Sequence, residues 1–300
     1  MPPADAVHIP ILTGEILSLL ELQPGDRWID ATVDGGGHAG AMLAATAPDG
    51  KLLGIDRDPE LLQVAQARLA AEVDAGRAVL RLGNFRELGE IAGAAGFGPV
   101  SAVLFDLGVS SYHFDRSGRG FAFAHNEPLD MRFDGSGDSA ADVLAQASLE
   151  ELRHIFRDYG EERFAHRIAV GVTRRRESEP IRDSATLLDV IRAALPRNIR
   201  WQANRSAARI FQALRIAVND EIEAVREAVP QAFELLAPGG RLAVLSFHSL
   251  EDRIIKQYLV SLAQSGQAKV LTKKPLRATE AEIDANPRAG SAKLRVCQKL

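Results

Sequence analysis

Three consecutive glycines at positions 35–37 stand between an apolar run, RWIDATV at 27–33, and the start of a helical pattern. Glycine inside regular structure costs about 0.5–1 kcal/mol relative to alanine, so it is tolerated best where the backbone turns tightly or lies against another group. In α/β folds that group is usually a ligand at the carboxyl end of the first strand. The triplet therefore predicts a strand, a tight turn beside a ligand, and then a helix.

Apolar runs alternate with helical patterns through the first third of the chain. The runs are candidate strands at 27–33, 51–56, 78–82 and 100–107. The segment after the second run has Pro59 near its start and ends at Gly76, which indicates a helix. Strands that alternate with helices predict βαβ units, and the nearly continuous apolar character of the runs is typical of a parallel sheet covered on both faces.

The alternation of apolar runs and helical patterns ends after Asp106, where an irregular segment at 109–135 leads into several helical patterns. One long helical pattern at 213–237 then precedes a Pro-Gly-Gly turn and a further apolar run, so the sheet resumes. The tail segments at 268–276 and 292–300 are expected to add antiparallel edge strands. We therefore predict an α/β fold, a Rossmann-like sheet domain formed by 1–109 and 211–300, with an inserted, mostly helical domain at 110–210.

Composition excludes several classes of protein. The chain has no run of 18 or more apolar residues, so no membrane span is expected, and its first residues lack the pattern of a signal peptide. The single cysteine, Cys297, permits no intramolecular disulfide and fits a reducing cytoplasm. The seven histidines show no metal-ligand spacing, so no metal is expected.

Positive charge is concentrated in two segments of an otherwise acidic chain. Residues 163–215 hold 12 Arg against 4 acidic residues, and residues 266–300 hold 8 Lys or Arg against 3, although the net charge is −4. Such segments suit a polyanionic partner, and solvated helix faces remain the alternative.

Two classes of ligand fit the glycine turn. The string GGGHAG at 35–40 matches the dinucleotide fingerprint, and Asp56 ends the next apolar run where a ribose-binding acid is expected. Both NAD and S-adenosylmethionine need these features. Three others favour the methyl donor: Asp30 just before the glycines, the turn in LLAPGGRLAVLSF at 235–247, and the absence of dehydrogenase acid machinery in FDLGVSS at 105–111.

Many longer strings make the chain recognisable. They are HIPILTGEIL, IDATVDGGGHAGAML, GIDRDPE, LFDLGVSS, RGFAFAHNEPLDMRFD, YGEERFAHRIA, RIFQALRIAVNDEI, LAPGGRLAVLSFHSLEDRIIK and NPRAGSAKLRV. Together they resemble the bacterial small-subunit (16S) ribosomal RNA cytosine-N4 methyltransferase family, whose class I fold uses S-adenosylmethionine. The resemblance runs from about residue 8 to residue 297. It implies methylation of the exocyclic amine of a cytidine in the decoding region, on 16S RNA in the small subunit or a late assembly intermediate, in the cytoplasm.

The resemblance also implies a donor site. Its members are Gly36, Gly37, His38, Asp56, Phe85, Asp106 and His113. Many relatives carry glutamine where this chain has His113, and the chain also departs from the family at Asp34 and in NRSAARIFQ. Asp106 is the candidate catalytic residue, because it follows the fourth strand where amino-methyltransferases often hold the target amine. The Pro-Pro-Tyr that usually accompanies such an aspartate is missing.

Several other residues have both a functional and a structural interpretation. Ser246, His248 and Ser249 could line a base pocket, whereas Glu251 and Asp252 are expected to cap the following helix. Phe85 is expected to lie against the adenine of the donor. The aromatic residues of the irregular segment could stack on a flipped base or simply pack: Tyr112, Phe114, Phe121 and Phe123.

The arginine-rich strings TRRRES and PRNIRWQANRSAAR are candidates for phosphate contacts. Two other classes of function stay open at this point. The chain could be an NAD-dependent oxidoreductase, or an RNA-binding protein that holds a nucleotide without performing chemistry.

Overall fold

The computed structural model describes residues 10–300, so the first two residues of HIPILTGEIL and most of the amino-terminal segment lie outside the described residues. The chain divides into two compact units. One comprises residues 10–108 and Ile222–Leu300, and the other comprises Val109–Glu221. Within residues 10–300, no helix is both long enough and apolar enough to span a membrane.

A seven-stranded sheet forms the centre of the first unit. Its strands are β1 (Arg27–Asp30), β2 (Lys51–Asp56), β3 (Ala78–Leu82), β4 (Val100–Asp106), β5 (Leu236–Ser246), β6 (Ala268–Val270) and β7 (Lys293–Lys299). The strand order is β3-β2-β1-β4-β5-β7-β6, with β1 to β5 parallel and β7 antiparallel to both of its neighbours. The order reverses between β1 and β4, and ligands of open α/β sheets bind at such a switch point, beyond the carboxyl ends of the strands.

Both faces of this sheet are buried, which explains the nearly continuous apolar runs. Neighbouring residues on one strand point to opposite faces, so Trp28 and Ile29 belong to different core clusters, as do Leu52 and Leu53. The helices of this unit are α1 (Thr13–Leu20), α2 (Gly37–Ala45), α3 (Pro59–Arg68), α4 (Ala70–Asp74), α5 (Leu88–Ala94), α12 (Glu221–Leu235), α13 (Ser249–Gln264) and α14 (Glu280–Ala285). Residues of α1, α2 and α3 cover one face, and residues of α5, α12 and α13 cover the other.

The carboxyl-terminal strands differ in part from the expectation. Strand β7 is antiparallel as predicted, but it lies between β5 and β6, so of these two carboxyl-terminal strands only β6 is at an edge of the sheet. Because β6 is antiparallel to β7, it runs in the direction of β5. The longer pattern predicted at 268–276 is a strand over only three residues, followed by an isolated bridge between Leu276 and Leu294.

The second unit is mostly helical and has its own apolar core. Its helices are α6 (Ser111–Asp115), α7 (Ala140–Gln146), α8 (Leu149–His154), α9 (Ala165–Ser178), α10 (Ser184–Ala194) and α11 (Ala203–Asn219), with a π-helical turn at Ile155–Tyr159 and a 3₁₀ turn at Arg197–Gln202. Ser148 caps α8, since its Oγ accepts from Glu151 N at 3.2 Å while Glu151 Oε2 accepts from Ser148 N at 2.7 Å.

The predicted boundary at 210 and the single long helix at 213–237 are corrected by the structure. Helix α11 continues to Asn219 and belongs to the helical unit, which extends to Glu221. Asp220 then adopts the left-handed conformation with φ 51°, which aspartate tolerates better than most residues, and α12 begins after it. The apolar spacing continues across this break, so the sequence pattern did not reveal it.

Candidate active site

The turn after β1 has the conformation that its glycines predict. Gly36 has φ 79° and precedes α2, and its N–H donates to Val33 O at 2.8 Å. A Cβ added to Gly37 would lie 3.1 Å from a ring carbon of Pro10, so the backbone is also closely approached there. The first amides of α2 thus face the switch point of the sheet, where a helix amino terminus favours electron-rich groups.

Asp56 ties this turn to the end of β2. Its Oδ2 accepts from Asp34 N at 2.7 Å, and its Oδ1 accepts from Asp58 N at 2.8 Å. Burial, and then the charge of Asp34, raise the pKa of Asp56 well above its ordinary value. Each carboxylate oxygen can accept more than one hydrogen bond, so Asp56 retains capacity for the hydroxyls of a ligand.

His38, in the first turn of α2, lies against the last residue of β4. Its Nε2 is 3.3 Å from Asp106 Oδ2, and both side chains are buried. Burial opposes protonation of the imidazole, but the contact with Asp106 and the charges of Asp30 and Asp34 outweigh it, so the pKa of His38 is raised. Its Nδ1 is buried and has no hydrogen-bond partner within the described part of the chain.

Asp30, the last residue of β1, is buried beside this pair. Its Oδ1 accepts from Thr32 N at 3.2 Å, and Thr32 Oγ1 in turn accepts from Asp106 N at 2.6 Å. Burial raises the pKa of Asp30 to about 7, although the charge of His38 partly offsets this effect. Thr32 therefore joins the ends of β1 and β4, a role for which the sequence held no signal.

Phe85 follows β3 and opens a short 3₁₀ turn, Phe85–Glu87, that is capped by Asn84. Its half-buried ring meets the ring of Phe105 edge-to-face, with centroids 5.7 Å apart. The residue therefore contributes to the core and still presents part of its ring at the carboxyl edge of the sheet. Six of the seven predicted donor-site residues lie in this unit, at the carboxyl ends of neighbouring strands or at the start of α2.

The seventh predicted residue, His113, belongs to the helical unit. Its Nδ1 accepts from Ser110 N at 3.1 Å in a capping box at the start of α6. The buried ring packs against both Phe121 and Phe133, with centroids 4.9 Å and 5.1 Å away. Phe121 and Phe123 both pack in the core of this unit, which favours the packing interpretation for these two aromatic residues.

The polar residues after β5 mainly begin a helix. His248 caps α13: its Nδ1 accepts from Glu251 N at 3.4 Å, and its Nε2 lies 3.1 Å from Glu251 Oε1. Glu251 completes this capping box, as expected, and accepts from Phe247 N at 3.0 Å. Asp252 does not act as a cap, because its carboxylate is held by Arg295 at 2.6 Å. Ser246 is buried and donates to Lys293 O at 3.4 Å.

The order of the sheet, its antiparallel β7 and the acidic, glycine-containing switch point define a class I methyltransferase that uses S-adenosylmethionine. Comparison with known proteins gives the particular family. The chain belongs to the MraW methylase family, whose model matches residues 5–300. This match confirms the fold class, the resemblance and the predicted cofactor. It does not favour the two alternatives, an NAD-dependent oxidoreductase and a non-catalytic RNA-binding protein.

The curated relatives are similar over almost their whole length. A ribosomal RNA small subunit methyltransferase H from Heliobacterium mobile is 43% identical over 310 residues, covering 98% of this chain and 99% of the relative. The protein of the same name from Syntrophotalea carbinolica is 46% identical and covers 98% of each chain. That from Geotalea uraniireducens is 43% identical over 99% of this chain and 100% of the relative.

Proposed function

We propose that this methyltransferase transfers a methyl group to the exocyclic N4 amine of a cytidine in the decoding region of 16S ribosomal RNA. The substrate is the small ribosomal subunit or a late assembly intermediate, in the cytoplasm. The names of the curated relatives support the ribosomal RNA substrate. The observation that carries the chemistry is the buried contact between His38 and Asp106 at the end of β4.

The buried charges of the site fit a cationic donor. S-adenosylmethionine carries positive charge on its sulfonium and on its ammonium group. Asp30, Asp34 and Asp106 all act on the protonation of one imidazole, that of His38. Buried charges need compensating charges or hydrogen bonds. The raised pKa values of Asp30 and Asp56 show that the protein alone compensates these two buried carboxylates only in part. The unpartnered Nδ1 of His38 offers a further polar contact for a ligand.

Each predicted donor-site residue then has a role that its position allows. We expect the backbone at Gly36 and Gly37 to lie beside the methionine end of the donor, near Asp30. Asp56 is expected to accept from the ribose hydroxyls, and Phe85 to lie against the adenine. His113 remains a donor-site residue by resemblance, as the histidine that replaces the glutamine of many relatives.

The bound donor supplies an electrophilic methyl group on sulfur. A cytosine amine is a poor nucleophile because its lone pair is delocalised into the ring. Correct positioning of the two reactants and exclusion of water from the site must therefore supply much of the rate acceleration. Holding two reactants in line can supply about 7–11 kcal/mol. We expect Asp106 to accept a hydrogen bond from the amine and thereby orient its lone pair. The bound donor would lose its methyl group from sulfur to the amine nitrogen, and the Asp106–His38 pair would accept the released amine proton and pass it to water.

Transfer of a tritiated methyl group to small subunits from cells that lack the orthologous enzyme tests this proposal. Nucleoside analysis should find N4-methylcytidine in the 16S RNA, and Asp106→Asn should abolish most of it. Asp74→Asn, which removes an exposed carboxylate from the end of α4, is the matched control and should leave the yield unchanged. No incorporation into subunits, naked RNA or assembly intermediates, despite measurable donor binding, would refute the proposal.

A further inference from the structure

The helical unit presents one bulky aromatic side chain to solvent. Trp201, in the 3₁₀ turn before α11, is 75% exposed, more than any other large hydrophobic residue among those described. Tryptophan has a large apolar surface that is usually covered, and exposed surface of this kind marks interaction sites more often than it marks ordinary solvent-facing positions. The question is which partner would cover it.

The surroundings of Trp201 are strongly cationic. Residues 193–209 contain four arginines and no acidic residue. Arg197 and Arg205 are exposed, and in the described part of the chain neither forms an ion pair or a side-chain hydrogen bond. Their charges are therefore available to an external anion. Arg209 differs, because it lies 3.5 Å from the carboxylate of Glu162.

Two further arginines converge on the same place from different elements. Arg200 donates to the carbonyl oxygens of Ala193 and Leu195, each at 3.4 Å, and Arg167 of α9 donates to Ala194 O at 3.1 Å. Both guanidinium groups thus lie at the carboxyl end of α10. The carboxyl end of a helix carries only about half a negative charge, so two guanidinium groups leave this end of α10 positive.

Charge is segregated within the helical unit. A groove of about 640 Å³ formed by α7, α8 and α11 is bordered by acidic side chains instead, namely Asp138, Asp142, Glu150 and Glu151. A polyanion would be repelled from that groove and attracted to the arginine-rich surface. The two surfaces therefore give the unit a preferred side for nucleic acid.

We propose that the surface formed by Arg167, Arg197, Arg200, Trp201 and Arg205 binds single-stranded RNA, with Trp201 stacked on an unpaired base and the arginines on phosphates. This inference rests on the proposed function, which supplies RNA as the substrate class. Single strands are favoured over duplex because only an unstacked base offers its face to an aromatic side chain. An apolar protein partner would leave the free charges of Arg197 and Arg205 uncompensated.

Intrinsic fluorescence gives a direct test, because the chain has two tryptophans and Trp28 is fully buried in the sheet. Addition of oligouridine should quench the emission of Trp201 in a saturable way. Trp201→Phe should abolish the quenching but should still bind the oligomer, as measured by the fluorescence anisotropy of a labelled oligouridine. Trp201→Ala should weaken the affinity about 5- to 150-fold, the range expected when one stacked base is no longer held. The same oligomer annealed to its complement should quench little.

The arginines are tested by salt dependence. For a single strand, the slope of log K against log salt is negative, and each phosphate that is no longer neutralised by an arginine makes it shallower by about 0.7. The double variant Arg197→Gln with Arg205→Gln should therefore have a slope that is shallower by about 1.4. Arg153→Gln is the matched control, since it removes one exposed charge from the acidic side of the unit, where Arg153 pairs with Glu150 at 2.8 Å. An unchanged slope in the double variant would overturn the assignment of these arginines to phosphates.

Methylation separates this inference from the proposed function. In one outcome, wild-type protein and Trp201→Ala methylate subunits with the same KM and kcat, and oligouridine leaves the fluorescence of wild-type protein unaltered. The surface then does not bind RNA, and the proposed methylation is unaffected. A raised KM with an unchanged kcat supports the surface. If wild-type protein methylates nothing but oligouridine still quenches Trp201, the reaction fails and the binding surface survives.

Discussion

His38 Nε2 lies 3.3 Å from Asp106 Oδ2, so the first turn of α2 and the end of β4 meet across the switch point of the sheet. This contact combines two strings that are 68 residues apart in the chain. It holds a buried imidazole beside the carboxylate that we propose accepts a hydrogen bond from the target amine. The protonation of the pair is therefore the property of the site that can be tested most directly.

Replacing Asp106 should alter the titration of His38. The contact with Asp106 favours the imidazolium and burial opposes it. With Asp106→Asn, the contact that favours protonation is weakened while burial still opposes it, so the pKa of His38 should fall. Nuclear magnetic resonance of the imidazole protons as a function of pH measures this change. A His38 titration that is the same in both proteins would mean that the contact is not maintained in solution.

Donor affinity should increase with pH. In the free protein the pKa of Asp30 is about 7, and its charged neighbours are His38, Asp106 and Asp34. A cationic donor binds the carboxylate form better, so its Kd should fall between about pH 6 and about pH 8. Deprotonation of His38 removes a positive charge and acts in the same direction. Calorimetric titration measures the trend, and Asp30→Asn should flatten it; a Kd of wild-type protein that is independent of pH would contradict the assignment.

The same aspartate should lower the stability of the unliganded protein. Because the folded-state pKa of Asp30 is raised, its contribution is fully favourable only below the unfolded pKa of about 4 and is lost as pH rises to about 7. Asp30→Asn retains an acceptor for Thr32 N and avoids this loss. Its free energy of unfolding in urea should exceed that of wild type by up to about 4 kcal/mol at pH 8, with a smaller difference at about pH 5. A difference that does not vary with pH would show that ionisation is not the cause.

The glycines of the turn should be distinguishable by substitution. Gly36 has φ 79°, so Gly36→Ala should cost about 1 kcal/mol of stability and weaken donor binding by displacing the amides of α2. Gly14→Ala is the control, because a Cβ there meets nothing within 4 Å and lies on the helix α1. That change should be neutral or slightly stabilising by thermal denaturation. Equal losses in both variants would indicate a general response to alanine rather than strain at the turn.

Much of this site could be predicted from the sequence, because strand ends and turns leave local signals. Asp30, Asp56 and Asp106 each close an apolar run, and parallel strands bring their carboxyl ends to one edge. Interactions that depend on tertiary packing left no such signal. The link made by Thr32 between β1 and β4 arises from register, and the break at Asp220 interrupts a helical pattern without changing its apolar spacing. The insertion of β7 beside β5 likewise depends on which edge is open once the parallel sheet has formed.

Phe85 has two roles that a single substitution can separate. Its ring packs edge-to-face against Phe105, and the same half-buried ring is proposed to lie against adenine. Phe85→Leu keeps most of the apolar volume, so the free energy of unfolding should change by less than about 1.5 kcal/mol. The aromatic face is lost, and stacking worth about 0.5–1.5 kcal/mol predicts a Kd for S-adenosylmethionine that is about 2- to 12-fold weaker. Calorimetry with fragments gives the decisive comparison: the variant should bind adenosine more weakly than wild type does, whereas methionine should bind both equally. Weaker binding of methionine as well would mean that the substitution disturbs the whole edge of the sheet, and unchanged binding of adenosine would leave Phe85 as a core residue alone.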